Sequence, residues 1–295
     1  MPTASDRSRL ISIVQSRQNA RVRELRAAFA RSPRDIPEVI GLEGEHLLAE
    51  ALRSGLRLRT VFLRADPDRR DVSLRMLERL ALPAPVPIVS LNPAVFASAV
   101  ETESPQGIAA LVEPPRFSLA EALGESDTPA ATRRPGAPLV LIAAALQDPG
   151  NLGSLIRSAE AFGATGVIAL PGTVDVWNGK TLRASAGSAF RVPVVHEKPG
   201  LAFSLLAQRS IPVVAAVPAG STERTHGEAI PCSRFDFTQP VAVLIGNEGA
   251  GLSDELLERA AARVSIPMPG AVESLNAAVA AGILLYEASR QRNPT

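Results

Sequence analysis

Three short segments carry the side chains best suited to do chemistry. They are Asn151–Arg157 (NLGSLIR), Gly246–Leu252 (GNEGAGL) and Ser274–Asn276 (SLN). Each comes soon after an apolar run that predicts a buried strand, and open α/β sheets bind their ligands at the carboxyl ends of their strands. Bare glycine backbone and polar side chains at that edge could therefore bind a ligand and act on it.

Each segment also has a purely structural interpretation. Asn151 could be the N-cap of a helix on which Arg157 is an ordinary exposed residue, and Ser274 could cap the last helix. The glycine-rich segment could be a tight connection before a helix capped by Ser253. That interpretation does not explain Glu248, whose carboxylate is predicted to lie at the mouth of the sheet.

Taken together, the segments resemble the three signature motifs of the SpoU (TrmH) family of RNA 2′-O-ribose methyltransferases, of the SPOUT class. The first motif matches the family position by position at Asn151, Gly153, Arg157 and Ala159. The resemblance implies an α/β domain with a mostly parallel sheet and a C-terminal trefoil knot. It also implies that S-adenosyl-L-methionine binds in a bent shape at the interface of a homodimer.

The resemblance assigns roles to particular residues. The implied catalytic set is Asn151, Arg157, Glu248, Ser274 and Asn276. The implied cofactor-binding set is Gly246, Ile266, Leu275, Val217 and Met268. Arginine stays protonated in proteins, so we expect Arg157 to orient an RNA phosphate and stabilise the developing alkoxide rather than act as a free base.

Candidate RNA contacts come from two other regions. Arg183 and Ser185 lie in a stretch that resembles the family between its first two motifs, although a surface helix turn would explain them almost as well. Arg17, Arg21 and Arg23 belong to a basic N-terminal segment that suits phosphate contacts or, equally, forms a solvated helix face. The first 110 or so residues resemble the family's substrate-binding domain, which is similar to small ribosomal proteins and favours 23S rRNA over tRNA as substrate.

Length and patterning predict two domains in the 295 residues. We expect an RNA-binding α/β domain over 1–113, a Pro- and Ala-rich linker over 114–138 and the methyltransferase domain over 139–295. Predicted strands of the first domain are 39–42, 60–63, 86–90 and 108–112, with helices over 16–30, 44–54 and 73–82. Predicted strands of the second domain are 139–145, 166–170, 192–195, 212–217, 241–245 and 264–266, with helices between most of them.

Composition excludes several other classes. The single cysteine, Cys232, excludes an internal disulfide, and no Cys/His cluster has metal-ligand spacing. No apolar run reaches the ~18 residues of a spanning helix, which favours a cytoplasmic protein without a membrane partner. A nucleotide-binding oxidoreductase fits poorly, because the glycine fingerprint is incomplete. A tRNA methyltransferase, an antibiotic-resistance enzyme and a catalytically silent RNA-binding relative remain as alternatives.

Overall fold

The computed structural model describes residues 13–30, 37–65, 70–83, 85–125, 136–219, 228–247 and 249–293, without the side chains of 70–74. They form two compact units: unit 1, made mainly of residues up to Arg116, and unit 2, made mainly of residues from Phe117 onward. None of the helices in these ranges combines the length and apolarity needed to cross a bilayer.

Unit 1 is built on a sheet of four strands. Its elements are α1 (Ala20–Phe29), β1 (Ile40–Glu43), α2 (Glu45–Arg53), β2 (Leu58–Arg64), α3 (Arg70–Leu80), β3 (Ile88–Leu91), α4 (Pro93–Ala97) and β4 (Ile108–Val112). The strand order is β1-β4-β2-β3, with β4 antiparallel to both neighbours and β2 parallel to β3. The small α/β character predicted for this region is confirmed, and the short helix α4 is an addition.

Unit 2 is built on a sheet of seven strands. Its elements are α5 (Leu119–Ala122), β5 (Leu139–Ala143), α6 (Pro149–Ala161), β6 (Gly166–Ala169), α7 (Gly179–Ser185), β7 (Val194–His196), α8 (Pro199–Gln208), β8 (Val213–Ala216), β9 (Ile230–Pro231), β10 (Val241–Ile245), α9 (Asp254–Glu258), β11 (Ala262–Ser265) and α10 (Ala277–Arg292). The order is β7-β6-β5-β10-β8-β11-β9, and every described pairing is parallel. The predicted mostly parallel sheet is confirmed.

The two central strands of this sheet explain why their sequences are uniformly apolar. Every residue of β5 and β10 is buried, and the two strands pair in register from Leu139 and Val241 onward. Strands covered on both faces cannot alternate polar and apolar residues. All carboxyl ends therefore emerge at one edge of the sheet, and the segments that follow β5, β10 and β11 carry the three motifs.

Part of the segment predicted as linker is a packed helix. Ser118 and Glu121 form a capping box that starts α5. The carbonyl of Ala122 accepts a hydrogen bond from Thr165 Oγ1 at 3.1 Å, and a Cβ on Gly166 would lie 2.5 Å from Ala122 Cα. The small residues that suggest a linker instead allow this close approach, while residues 126–135 lie outside the described ranges.

Candidate active site

The first motif lies at the start of α6. Asp148 is the N-cap of this helix, and its Oδ1 accepts a hydrogen bond from the backbone N–H of Asn151 at 2.8 Å. Pro149 occupies the first helical position, where an N–H would have no helical partner. The interpretation of Asn151 as the N-cap is wrong, because the cap lies three residues earlier. The Asn151 side chain is therefore not used in capping.

The third motif contacts the first through a pair of amides. Asn276 Nδ2 donates to Asn151 Oδ1 at 2.9 Å, although the two residues are 125 positions apart. Asn276 Oδ1 accepts from the N–H groups of Ala278 and Val279 at 3.0 and 3.2 Å, which makes Asn276 the N-cap of α10. The interpretation of Ser274 as this cap is wrong, because α10 begins three residues later. Asn276 thus starts a helix and orients Asn151 at the same time.

The second motif forms a tight turn after β10. Asn247 and Gly251 exchange two backbone hydrogen bonds, at 3.2 and 2.9 Å. A Cβ on Gly246 would lie 2.6 Å from the backbone of Gly251, so only glycine fits at this point of the turn. Glu248, predicted to be catalytic, lies outside the described residues.

The side chain of Asn247, which no pattern in the sequence marks, joins this turn to the loop after β5. Its Oδ1 accepts from the N–H groups of Gly249 and Ala250 at 2.8 and 3.2 Å. Its Nδ2 donates to the carbonyl of Ala145 at 2.9 Å. The bond spans 102 positions, so no local pattern could have revealed it.

A pocket of about 630 Å³ opens beside these loops. All five residues predicted to bind a cofactor line it, namely Gly246, Ile266, Leu275, Val217 and Met268. Ser274 lies in the same wall. Other parts of the wall come from the Gly249–Leu252 turn and from the first turns of α10. Apolar walls with exposed main-chain groups at the edge suit a small ligand that has both apolar and polar parts.

The polar residues predicted to face RNA divide into exposed and buried ones. Arg157 is exposed on α6, six residues beyond Asn151 and so about 9 Å further along the helix. Arg183 is exposed on α7. Ser185 is fully buried, and its hydroxyl donates to the carbonyl of Leu182 at 2.9 Å. A direct RNA contact by Ser185 does not fit this burial, which arises because α7 packs against Gly153 of α6.

An ion pair and a histidine–carboxylate contact lie near the same edge. Lys180 Nζ is 3.6 Å from Asp148 Oδ2, so the carboxylate that caps α6 also faces a cation. His196 Nε2 is 4.0 Å from Asp175 Oδ1. Burial lowers the pKa of His196 below its ordinary value of 6.5, and the charge of Asp175 partly opposes that shift.

In unit 1, the three arginines predicted to bind RNA are all exposed. Arg17 precedes α1, and Arg21 and Arg23 lie on its first turn, after the N-cap Asn19. Val22 and Leu25 of the same helix are buried. Helix α1 therefore presents guanidinium groups on one side and packs through the other. In the described part of the chain, no group of three or more His, Cys, Asp or Glu residues could hold a metal ion.

Two family models match the sequence. The SpoU rRNA Methylase family matches residues 138–286. The model described as RNA 2′-O ribose methyltransferase substrate binding matches residues 42–118. The first match covers all three motifs and the pocket, and the second covers most of unit 1.

Similar proteins include two named ribosomal RNA methyltransferases. The chain is 32% identical to the 23S rRNA (guanosine(2553)-2′-O)-methyltransferase RlmP of Bacillus subtilis over 277 residues, which is 92% of this chain and 97% of the relative. It is 46% identical to the 23S rRNA (uridine(2479)-2′-O)-methyltransferase of Streptomyces viridochromogenes over 145 residues, about half of each chain.

Solved structures that are similar over almost the whole chain include one with a bound cofactor. The SpoU methyltransferase AviRb from Streptomyces viridochromogenes, crystallised with S-adenosylmethionine, superposes with a TM-score of 0.76 at 32% identity. The alignment covers 93% of this chain and 98% of AviRb.

Proposed function

This chain belongs to the SpoU rRNA Methylase family, and we propose that it transfers a methyl group from S-adenosylmethionine to a ribose 2′-hydroxyl of large-subunit ribosomal RNA. The observation that carries the proposal is the hydrogen bond between Asn151 and Asn276. It joins the first and third motifs beside a pocket that is lined by residues of the second and third. Residues far apart in sequence thereby form one site.

The pocket fits this cofactor in size and chemistry. Its volume of about 630 Å³ lies within the range of small-molecule sites. Ile266, Met268 and Leu275 offer apolar surface, and the turn at Gly246 offers main-chain groups. When bound, S-adenosylmethionine supplies the methyl group, activated on a positively charged sulfonium.

The side chains at the edge of the sheet prepare the ribose for transfer. Arg157 binds the RNA phosphate next to the reacting nucleotide and stabilises the negative charge that develops on the 2′-oxygen. The hydroxyl proton leaves to that phosphate or to a water molecule. Asn151, held by Asn276, orients the ribose or Arg157, and Glu248 and Ser274 complete the polar set. These roles need placement within about an ångström, which a helix cap and an amide pair can supply.

Unit 1 is proposed to bind the RNA. A model for RNA 2′-O ribose methyltransferase substrate binding matches residues 42–118, and the similarity along nearly the whole chain to a named 23S rRNA enzyme favours ribosomal RNA over tRNA. Arg17, Arg21 and Arg23 supply phosphate contacts there, and Arg183 supplies one in unit 2. Ser185 stabilises α7 through its hydrogen bond to the carbonyl of Leu182 rather than contacting RNA.

A homodimer is also proposed, with the exposed side of α10 as the contact surface. Val279, Ile283 and Tyr286 are 51%, 36% and 55% exposed and recur at helical spacing. Helix α10 also packs against α6, and Tyr286 touches Phe162, the residue that follows α6, edge to face with ring centroids 5.8 Å apart. Sedimentation should give the mass of two chains for the native protein and of one chain for Ile283→Arg.

The trefoil knot and the cytoplasmic location are proposals that follow from the family. In the order of the parallel sheet, β10 lies between β5 and β8, so the chain returns late to the middle of a sheet it has already begun. That order is compatible with a knotted crossing. An enzyme that acts on ribosomal RNA is expected in the compartment that holds ribosomes.

Mapping of ribose methylation tests the function directly. Ribose methylation is mapped in ribosomal and transfer RNA from cells with and without the gene. Cells without the gene should lack the methyl group at one ribose of the large-subunit RNA. Calorimetry with S-adenosylmethionine should give binding to the purified protein. Loss of a methylated ribose from tRNA instead would contradict ribosomal RNA as the substrate. Binding of RNA without any lost methylation would indicate a silent relative, and no cofactor binding would contradict the enzyme class.

A further inference from the structure

Two asparagines at the edge of the parallel sheet use their side chains in the same way. Asn276 caps α10 with its Oδ1 and reaches Asn151 with its Nδ2. Asn247 holds its own turn with its Oδ1 and reaches Ala145 with its Nδ2. In both cases the oxygen organises local backbone and the NH₂ group contacts the segment that runs from β5 into α6. Asn247 therefore forms a hydrogen bond, from Nδ2 to Ala145, beyond those that its turn requires.

The turn itself needs only the oxygen. Bonds from Gly249 and Ala250 to Asn247 Oδ1 are the pattern that aspartate or serine can also form. The bond from Nδ2 to Ala145 contributes nothing to that pattern. It connects the turn that borders the cofactor pocket to the loop that leads to Asn151 and Arg157.

The segment that Asn247 contacts is conformationally strained. Ala145 has a φ of +55°, in the left-handed region that residues with a Cβ rarely adopt. Such a residue keeps its conformation only when its surroundings hold it there. A hydrogen bond to its carbonyl is one such restraint, and Asn247 supplies it from the opposite loop.

We propose that Asn247 is a positioning residue, whose Nδ2 bond to Ala145 fixes the cofactor loop relative to the segment that carries Asn151 and Arg157. The inference rests on the proposed methyltransferase function. Methyl transfer needs donor and acceptor in line, and the two loops border the donor and the acceptor respectively. Because misplacement by about an ångström can lower a rate ~100-fold, loss of this bond should slow the chemical step without preventing either partner from binding.

The test separates the two halves of the Asn247 side chain. Asn247→Asp and Asn247→Ser both keep an oxygen that can accept from Gly249 and Ala250, and both lose the NH₂ donor. Aspartate adds a charge and serine does not, so agreement between them excludes a charge effect. Asn293→Asp is the matched control, since Asn293 also donates through Nδ2 to a backbone carbonyl, that of Ser289, at the far end of α10.

Three quantities are measured on the full chain. They are the dissociation constant of S-adenosylmethionine by calorimetry, RNA binding by filter retention, and the single-turnover rate at saturating concentrations. The RNA is total large-subunit ribosomal RNA from a strain that lacks the gene. We expect both Asn247 variants to bind within about threefold of the native protein and to transfer ~10 to 100 times more slowly. Asn293→Asp should keep the native rate.

Other outcomes overturn the inference. Native single-turnover rates in both Asn247 variants would mean that the Ala145 bond is dispensable. Native rates together with weaker binding of S-adenosylmethionine would mean that Asn247 only shapes the pocket. Thermal melting checks that each variant is folded, and if Asn247→Asp unfolds, Asn247→Ser decides alone. An inactive native protein would contradict the proposed function and not this inference.

Discussion

The two sheets of this protein place their loops differently, and the difference decides where chemistry can occur. In unit 1, β4 runs antiparallel to β1 and β2, and β3 runs parallel to β2, so β4 ends at the edge opposite to the other three strands. In unit 2, all described pairings are parallel, so every strand ends at the same edge. Residues 125 and 102 positions apart can therefore share hydrogen bonds there.

Exposed ion pairs of unit 1 and the amides at the motif edge of unit 2 differ in what they hold together. In unit 1, Arg59 pairs with Glu113 at 2.8 Å and Arg79 pairs with Glu45 at 2.5 Å, and all four side chains are at least 30% exposed. Exposed pairs of this kind contribute little to stability, because solvent and salt screen their attraction. In unit 2, the amides of Asn151, Asn247 and Asn276 fix loops against each other. We therefore expect variants of unit 1 to change binding and variants of the unit 2 edge to change the rate of transfer.

The largest effect is expected for Arg157→Ala. Loss of a cation that stabilises developing charge should lower the single-turnover rate ~100- to 1000-fold, while the affinity for S-adenosylmethionine stays unchanged because the pocket wall does not include Arg157. Arg209→Ala is the control, since Arg209 is an exposed arginine of unit 2 paired with Glu125. Native activity in Arg157→Ala would refute its assigned role.

The next effect concerns the stability of unit 2 alone. The guanidinium of Arg292 donates to the carbonyls of Phe237 at 2.6 Å, Pro138 at 3.2 Å, Gln239 at 2.7 Å and also Ala137. It thereby ties the end of α10 to the residues just before β5 and β10. Arg292→Ala leaves several carbonyls without this donor and should lower the free energy of unfolding by about 2 to 3 kcal/mol.

Hydrogen exchange resolved by region measures this loss separately in each unit. Protection should fall in β5, β10 and α10 and stay native in β1 to β4. Arg292→Lys keeps the charge but lacks the planar guanidinium group. Its protection should therefore lie between that of the native protein and that of Arg292→Ala. Equal loss of protection in both units would break the comparison, because it would mean that they unfold together.

The pattern of the chain predicted the strands well and the side-chain partners poorly. The apolar runs at 108–112 and 241–245 coincide with β4 and β10, because burial on both faces leaves little freedom in composition. The roles of Asn151 and Ser274 as caps were wrong, because Asp148 and Asn276 compete for those positions. The Asp-Pro pair at 148–149 was a usable signal for the first of these.

Other features were beyond any local pattern. The bond from Asn247 to Ala145 depends on strand order, and the burial of Ser185 depends on how closely α7 approaches Gly153. Helix α5, in contrast, has a local signal in its Ser-x-x-Glu capping box, which the surrounding prolines and alanines outweighed in favour of a linker. The bond of Asn247 and the burial of Ser185 therefore depend on long-range contacts, which amino-acid composition does not specify.

A smaller effect is expected from the arginines of unit 1. Replacing Arg17, Arg21 and Arg23 together by alanine should weaken RNA binding about tenfold and reduce the slope of log affinity against log salt by about 2 to 3. The rate at saturating RNA should stay native, because none of the three lies in unit 2. Arg53→Ala, which removes an exposed arginine paired with Glu50, is the control. A lower rate at saturating RNA in the triple variant would contradict the assignment of RNA binding to unit 1 and of methyl transfer to unit 2.

The smallest effect is a pH dependence in unit 2. Burial holds the pKa of His196 below its ordinary value of 6.5, so as the pH falls the unfolded chain takes up this proton before the folded chain does. The stabilising contribution is fully present above about pH 6.5 and is lost as the pH falls through the folded value. Because the side chain is 42% exposed, solvent screening keeps the change small. His196→Gln should therefore show a smaller drop in the protection of β7 between about pH 7.5 and about pH 5.5 than the native protein, with unit 1 unchanged. An identical drop in both proteins would assign the pH dependence to other groups.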